Sequence, residues 1–138
     1  MNREIRFRAW DLGRHKMYPV RCIDFNQDGS VNHFRLTIFN PDEDFDFLKV
    51  TTNEANIMQY TGLKDKNGKD IYEGDIIQLS SGKDEVYIAP VAWESPSFIL
   101  RHKNGYHGCL GLTSDLIYAC DYNVIGNIYE NHELMEVK

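Results

Sequence analysis

No stretch of this chain approaches the roughly 20 consecutive apolar residues that a membrane-spanning helix needs. The opening MNREIRFRAWD carries arginines where a secretory leader would carry an apolar core. These two absences set the expectation of a soluble, unexported protein with no membrane partner. Cysteine is scarce and odd in number, at Cys22, Cys109 and Cys120, which excludes a disulfide framework and leaves small buried thiols in a reducing cytosol. There is no internal repeat and no low-complexity segment. Bases are outnumbered as well: 15 Lys and Arg stand against 21 Asp and Glu, for a net charge of −6. That balance disfavours nucleic acid as a partner, because a phosphate backbone calls for an electropositive face.

What is present is an ordinary globular composition, 42% hydrophobic and 26% charged over 138 residues. A chain of that length buries roughly two thirds of its unfolded surface and needs no staples. Charge is unevenly placed. Arg3, Arg6, Arg8, Arg14, Lys16 and Arg21 dominate residues 1–21, whereas Asp24, Asp28, Asp42, Glu43, Asp44, Asp46 and Glu54 dominate residues 22–56. The two blocks either neutralise each other or leave a basic N-terminal face for a partner.

Apolar residues alternate more than they recur at helical spacing. REIRFRAW puts Ile5, Phe7 and Ala9 on one side and Arg6, Arg8 and Trp10 on the other, as in a half-buried strand. YPVRCIDF and VNHFRLTIF flank Asp28-Gly29, a hairpin signal. Residues 40–48, with Pro41 and four acids, read as an acidic loop, and TTNEANIMQYT as at most a short, weakly capped helix. From Asp70 onward short strands rich in β-branched and aromatic residues return, and a small closed or nearly closed barrel would leave them no exposed edges. NHELMEV reads as a terminal helical turn capped by Asn131. The expectation is a mainly β (α+β) protein with an N-terminal antiparallel region, 1–57, and a barrel-like region, 58–138.

Four constellations could carry chemistry. MQYTGLKDKNGKDIYEGDII has the glycines and lysines of a phosphate loop, but five residues separate Gly62 from Gly68, and Asp70 stands where Ser or Thr would hold magnesium. A hairpin with Asn67-Gly68 at its tip, between Lys66 and Lys69, fits better. Asp24, Asn26, Asp28 and Gly29 open like a calcium-binding loop, yet its twelfth position is Arg35 instead of a bidentate Glu. His102, His107, Cys109 and Cys120 could ligate zinc, but without knuckle spacing. No nucleophile elbow or cysteine-protease signature occurs. The expectation is therefore no catalytic residue, no metal and no cofactor.

Three of these segments resemble the YopX family of phage and prophage proteins. Arg3–Asp11 is similar to its opening strand, followed by Met17. Gln59, Tyr60, Thr61, Gly62, Leu63, Asp65, Gly68, Tyr72, Glu73, Gly74 and Asp75 stand at its hallmark positions. VIGNIYENHELM resembles its closing signature, with His132 where proline is common. The resemblance implies an SH3-like small β-barrel preceded by an α+β extension, and implies no activity. The β-rich, SH3-like reading and the failure of the four chemical constellations point to a non-enzymatic interaction module in the cytoplasm of a bacterial host, with an unknown host or phage protein as partner and a homo-oligomer compatible with it. Arg6, Arg8, Trp10, Tyr60, Lys64, Lys66 and Lys69 are its candidate contacts. The alternatives are nucleic-acid binding by the basic first strand with Trp10 or Tyr60 stacking, and an acidic decoy built on PDEDFDF.

Overall fold

The computed structural model describes residues 4–38, 47–80, 86–94, 97–101, 109–111 and 121–135. Eleven strands occur in these residues: β1 (Phe7–Asp11), β2 (Lys16–Phe25), β3 (Val31–Thr37), β4 (Phe47–Val50), β5 (Ala55–Lys64), β6 (Asp70–Tyr72), β7 (Asp75–Ser80), β8 (Val86–Glu94), β9 (Ser97–Arg101), β10 (Cys109–Gly111) and β11 (Asp121–Asn127). One turn of 3-10 helix, His132–Met135, follows. Hydrogen-bonded neighbours run β4-β3-β2-β1-β5-β6 in one sheet and β10-β9-β8-β7-β11 in the other. The chain divides into two compact units, Ile5–Gln59 and Tyr60–Lys138 with Met1–Glu4.

In the first unit the period of two decides the core. On β3, Phe34 and Leu36 are 1% and 0% exposed while Arg35 and Thr37 face solvent. Ala9, Val50 and Ala55 complete that core, with Tyr18, Val20, Ile23, Leu48 and Ile57 packed around it. Each large apolar side chain so buried contributes roughly 2 kcal/mol. Two register shifts interrupt β2 against β3, between Val20 and Cys22 and between Asp24 and Phe25. TTNEANIMQYT, read as at most a short helix, holds none. Residues 52–54 turn, the Thr51 amide donates to Glu54 Oε2 at 2.7 Å, and the β-prone NIMQY run enters β5.

In the second unit Ile71, Ile77, Leu79, Ala89, Val91, Phe98, Leu100 and Tyr122 form the core. The segment YEGD is its corner. Asp75, 2% exposed, accepts the Tyr72 amide at 2.8 Å, the Gly74 amide donates to the Val91 carbonyl at 2.9 Å, and the Gly74 carbonyl accepts from Ile128 at 2.9 Å. The closing signature folds back on itself. Asn127 Oδ1 accepts from the amides of Tyr129 and Glu130, and Asn131 Oδ1 from the amide of Asn127. Asn131 stands at the start of the terminal turn, its carbonyl accepting the Leu134 amide at 3.0 Å, while its Oδ1 serves the Asn127 amide. A methyl on Gly126 would stand 2.7 Å from the Asn131 Cγ, so only glycine fits beside it. Among the described residues no pairing joins β10 to β11, so the five-stranded sheet is open between its edges there.

Candidate functional site

Both predicted hairpins form, and with the same geometry. The Gly29 amide donates to the Asn26 carbonyl at 3.0 Å and the Asn26 amide to the Ser30 carbonyl at 2.8 Å; Gly68, Asp65 and Lys69 repeat the pattern at 3.0 and 2.8 Å. Gly29 and Gly68 have φ of 85° and 82°, whereas neither Asp28 nor Asn67 has positive φ. Each loop is thus three residues long, a type I turn followed by a left-handed glycine.

The carboxylates of the calcium-like loop serve this hairpin. Asp28 Oδ1 accepts from the amide and hydroxyl of Ser30 at 2.8 and 2.5 Å, which holds its pKa below the ordinary 3.8. Asp24 Oδ2 lies 2.7 Å from His33 Nε2 and 3.7 Å from Arg35 Nε, and the Cys22 thiol is 3.8 Å away. The carboxylate, not the imidazole, faces the thiol, so this cluster lacks the geometry in which a histidine takes a cysteine proton. Cys22 itself is half-buried, not fully buried as expected. The zinc candidates His102, His107 and Cys120, the side chain of Cys109 and the bulk of the acidic 40–48 loop lie outside the described residues.

The glycine- and lysine-rich hallmark is organised by Asp65, which is 6% exposed. Its Oδ1 accepts from the amides of Asn67 and Lys69, both at 2.9 Å, and its Oδ2 from the amide of Val124 at 3.0 Å. The Lys66 amide donates to the Tyr122 carbonyl at 3.0 Å, and Asn67 Nδ2 to Asn123 Oδ1 at 3.1 Å. The loop is therefore bound along β11, and its amides are spent within the fold instead of being presented to a phosphate.

The seven predicted contact residues are divided between the two units. Arg6, Arg8 and Trp10 belong to the first unit, and Tyr60, Lys64, Lys66 and Lys69 to the second. Trp10 is 7% exposed and edge-on to His15, while Tyr60 is 3% exposed and packs on Tyr72 with ring centroids 5.5 Å apart. Neither ring is available for stacking on a base. Arg6 and Arg8 are half-buried, Lys64 pairs with Asp70 at 2.6 Å, Lys66 with Asp121 at 3.8 Å, and Lys69 is exposed.

Within the first unit a group of side chains gathers on the solvent face of β2, β3 and β4. Arg35 and Lys49 are register partners and so share a face, and Phe47 stands on that face two residues before Lys49. The guanidinium carbons of Arg35 and Arg21 lie 5.5 and 5.9 Å from the centroid of the Phe47 ring, which stays 40% exposed. An arginine over an aromatic face contributes about 0.5–1 kcal/mol at exposed sites and orients its remaining donors outward. Two guanidiniums thus flank one exposed ring with Lys49 on the same face, and among the described residues Asp24 is the carboxylate paired with Arg35. Charge counted by segment hid this face, because Arg35 and Lys49 sit inside the acidic block; the alternation of HFRLT and FLKV was the available signal.

Among the described residues no helix is long and apolar enough to cross a membrane. None of the curated proteins matches the chain. Two solved structures are similar to it over nearly their whole length. Protein EF1440 from Enterococcus faecalis is 29% identical, with a TM-score of 0.70, covering 97% of this chain and 99% of that one. Protein yopX from Bacillus subtilis is 22% identical, with a TM-score of 0.60, covering 94% and 96%, a likeness of fold. The profile described as YopX protein matches residues 6–136, and with the hallmark hairpin and closing signature both in place, the chain belongs to the YopX family.

Proposed function

We propose that this YopX protein is a non-enzymatic interaction module, encoded by a phage or prophage and working in the cytoplasm of a bacterial host. On this reading it docks an acidic protein surface on the outer face of β2–β4. The observation that carries the reading is the pair of guanidiniums at 5.5 and 5.9 Å over an exposed Phe47, with Lys49 in register beside them. Arginine and aromatic side chains held together are the residue types that anchor protein interfaces. The inverted order of Cys22, Asp24 and His33 supports a module without nucleophilic chemistry. The second unit is taken to be an SH3-like barrel, a reading supported by the β10-β9-β8-β7-β11 order and by the β5–β6 hairpin bonded along β11.

A second reading, nucleic-acid binding, rests on the same face, with Phe47 as the stacking ring. The net charge of −6 favours the acidic protein, because a polyphosphate is repelled over a Debye length of about 10 Å, whereas a compact acidic patch meets the local cations first. Fluorescence anisotropy with a labelled octaglutamate peptide, a labelled neutral peptide of equal length and a labelled oligothymidylate separates the readings. The module reading expects binding of octaglutamate that weakens about tenfold in Arg35→Glu and is unchanged in a Lys64, Lys66, Lys69 triple glutamine variant. Tighter binding of the oligothymidylate, lost steeply with salt, selects nucleic acid instead. Loss in the lysine triple variant alone would return the site to the hallmark hairpin.

A further inference from the structure

The connection from β1 to β2 shapes a second feature of the first unit. Asp11, 3% exposed, accepts the amides of Gly13 and Arg14 on Oδ1 at 2.8 and 3.1 Å, and Arg14 Nη1 reaches its Oδ2 at 3.2 Å. His15 completes the loop in the left-handed region at φ 54°, its amide donating to the Asp11 carbonyl at 2.8 Å. A non-glycine residue held there costs about 1 kcal/mol or more, and such strain persists where the surroundings impose it. The facing turn before β5 is tied to this loop, because the Leu12 amide donates to the Glu54 carbonyl at 3.0 Å. Between the two loops lies a cleft of about 410 Å³ lined by Asp11, Arg14, Lys49, Asn53 and Glu54 among others.

The charges of this cleft are nominally balanced, two cations against two carboxylates, but they are not equivalently engaged. Asp11 is saturated by backbone and Arg14 donors inside the loop, and Glu54 Oε2 is taken by the Thr51 amide at 2.7 Å. Asp11 is thus spent on holding its loop, while Glu54 ties its own turn through Oε2 and keeps Oε1 uncommitted among the described residues. Arg14 is fixed at one nitrogen only, with its side chain 54% exposed, and Lys49 has no ion-pair partner among the described residues. The donors left facing the cleft are the rest of the Arg14 guanidinium, the Lys49 ammonium and the Asn53 amide.

We propose that this cleft binds a small oxyanion group, a carboxylate or a phosphate, between Arg14 and Lys49. A guanidinium held at one nitrogen by a buried carboxylate keeps its remaining donors for an oxyanion, whose two oxygens match its planar fork. The oxyanion arrives either as a free phosphate compound or as the terminal carboxylate of a peptide. The site stands independently of the β2–β4 face, although Lys49 borders both.

The test is amide chemical-shift titration of the full-length chain with inorganic phosphate and, separately, with N-acetyl-alanyl-alanine. Saturable shifts at Gly13, Arg14 and Asn53 are expected, and whichever probe binds tighter identifies the source of the oxyanion. Arg14→Gln and Lys49→Gln should each weaken binding about fivefold or more, since each removes a charge-assisted contact. Arg35→Gln should leave the cleft titration unchanged while weakening octaglutamate binding, so failure of one proposal is distinguishable from failure of the other. Absence of saturable shifts with both probes at tens of millimolar, or shifts that persist in the Arg14→Gln, Lys49→Gln double variant, would overturn the assignment.

Discussion

The hairpins at Asn26–Ser30 and Asp65–Lys69 share a loop length, a turn type and a left-handed glycine, yet they do different work in the molecule. The first closes on itself: its carboxylate, Asp28, serves its own Ser30, and every residue from Phe25 to Ser30 is exposed. The second reaches outward: Asp65 gathers two amides of its own loop and one from β11, and the backbone of Lys66 adds another bond to the same strand. Turn geometry is therefore local chemistry, while its structural importance depends on what the first loop residue can reach. In one loop that residue is an exposed Asn, and in the other a buried Asp.

The largest expected effect follows from this difference. Asp65→Ala strands three amide donors and should cost about 3 kcal/mol in urea unfolding, whereas Asn26→Ala should cost less than about 1 kcal/mol. Equal losses would break the comparison. Next come Gly29→Ala and Gly68→Ala. A Cβ at either position meets nothing within 4 Å, so both should lose a similar ~1–2 kcal/mol from the left-handed backbone alone. A much larger loss at Gly68 would mean that the docked loop carries strain the free one does not.

Tyr122, whose carbonyl receives the hairpin, sharpens the contrast from the other side. Among the described residues its buried hydroxyl has no hydrogen-bond partner, and burial pushes its pKa well above the ordinary 10.0. A raised pKa means stability that is complete below pH 10 and is lost as pH climbs beyond it, because the unfolded phenol ionises first. Tyr122→Phe should therefore be neutral or stabilising by about 1 kcal/mol at pH 7, and should remove that alkaline loss. The smallest effect belongs to Asp28. Its lowered pKa means that its contribution is present above the ordinary 3.8 and lost as pH falls through the folded value. The Ser30 amide resonance should titrate below that value, and Asp28→Asn should abolish the titration; a midpoint above it would deny the Ser30 bonds.

Much of the fold was legible because alternation is visible in single strands: Phe34 and Leu36 announce their face, and the Asx-Gly pairs announce both hairpins. Burial on the second face of a strand was not. Trp10 reads as the polar-side partner of Arg6 and Arg8, but β1 lies between β2 and β5, and its ring is buried. The basic face was hidden for a related reason. Arg35, Lys49 and Phe47 come together only through the β3–β4 register, which period-two patterning leaves open to a slip of one residue. Asp11 and Asp65 read as ordinary acids, since nothing in sequence marks which carboxylate will be surrounded by amides.

The account turns on the hallmark hairpin being part of the framework and not a loop free to bind. Native-state hydrogen exchange of the Val124 amide, which donates to Asp65, compared with that of the Ser30 amide, which donates to Asp28, tests this most directly. Val124 should exchange only through opening of its whole unit, at a free energy near that of global unfolding, while Ser30 exchanges through local fraying. Exchange of Val124 as fast as that of Ser30 would contradict the account.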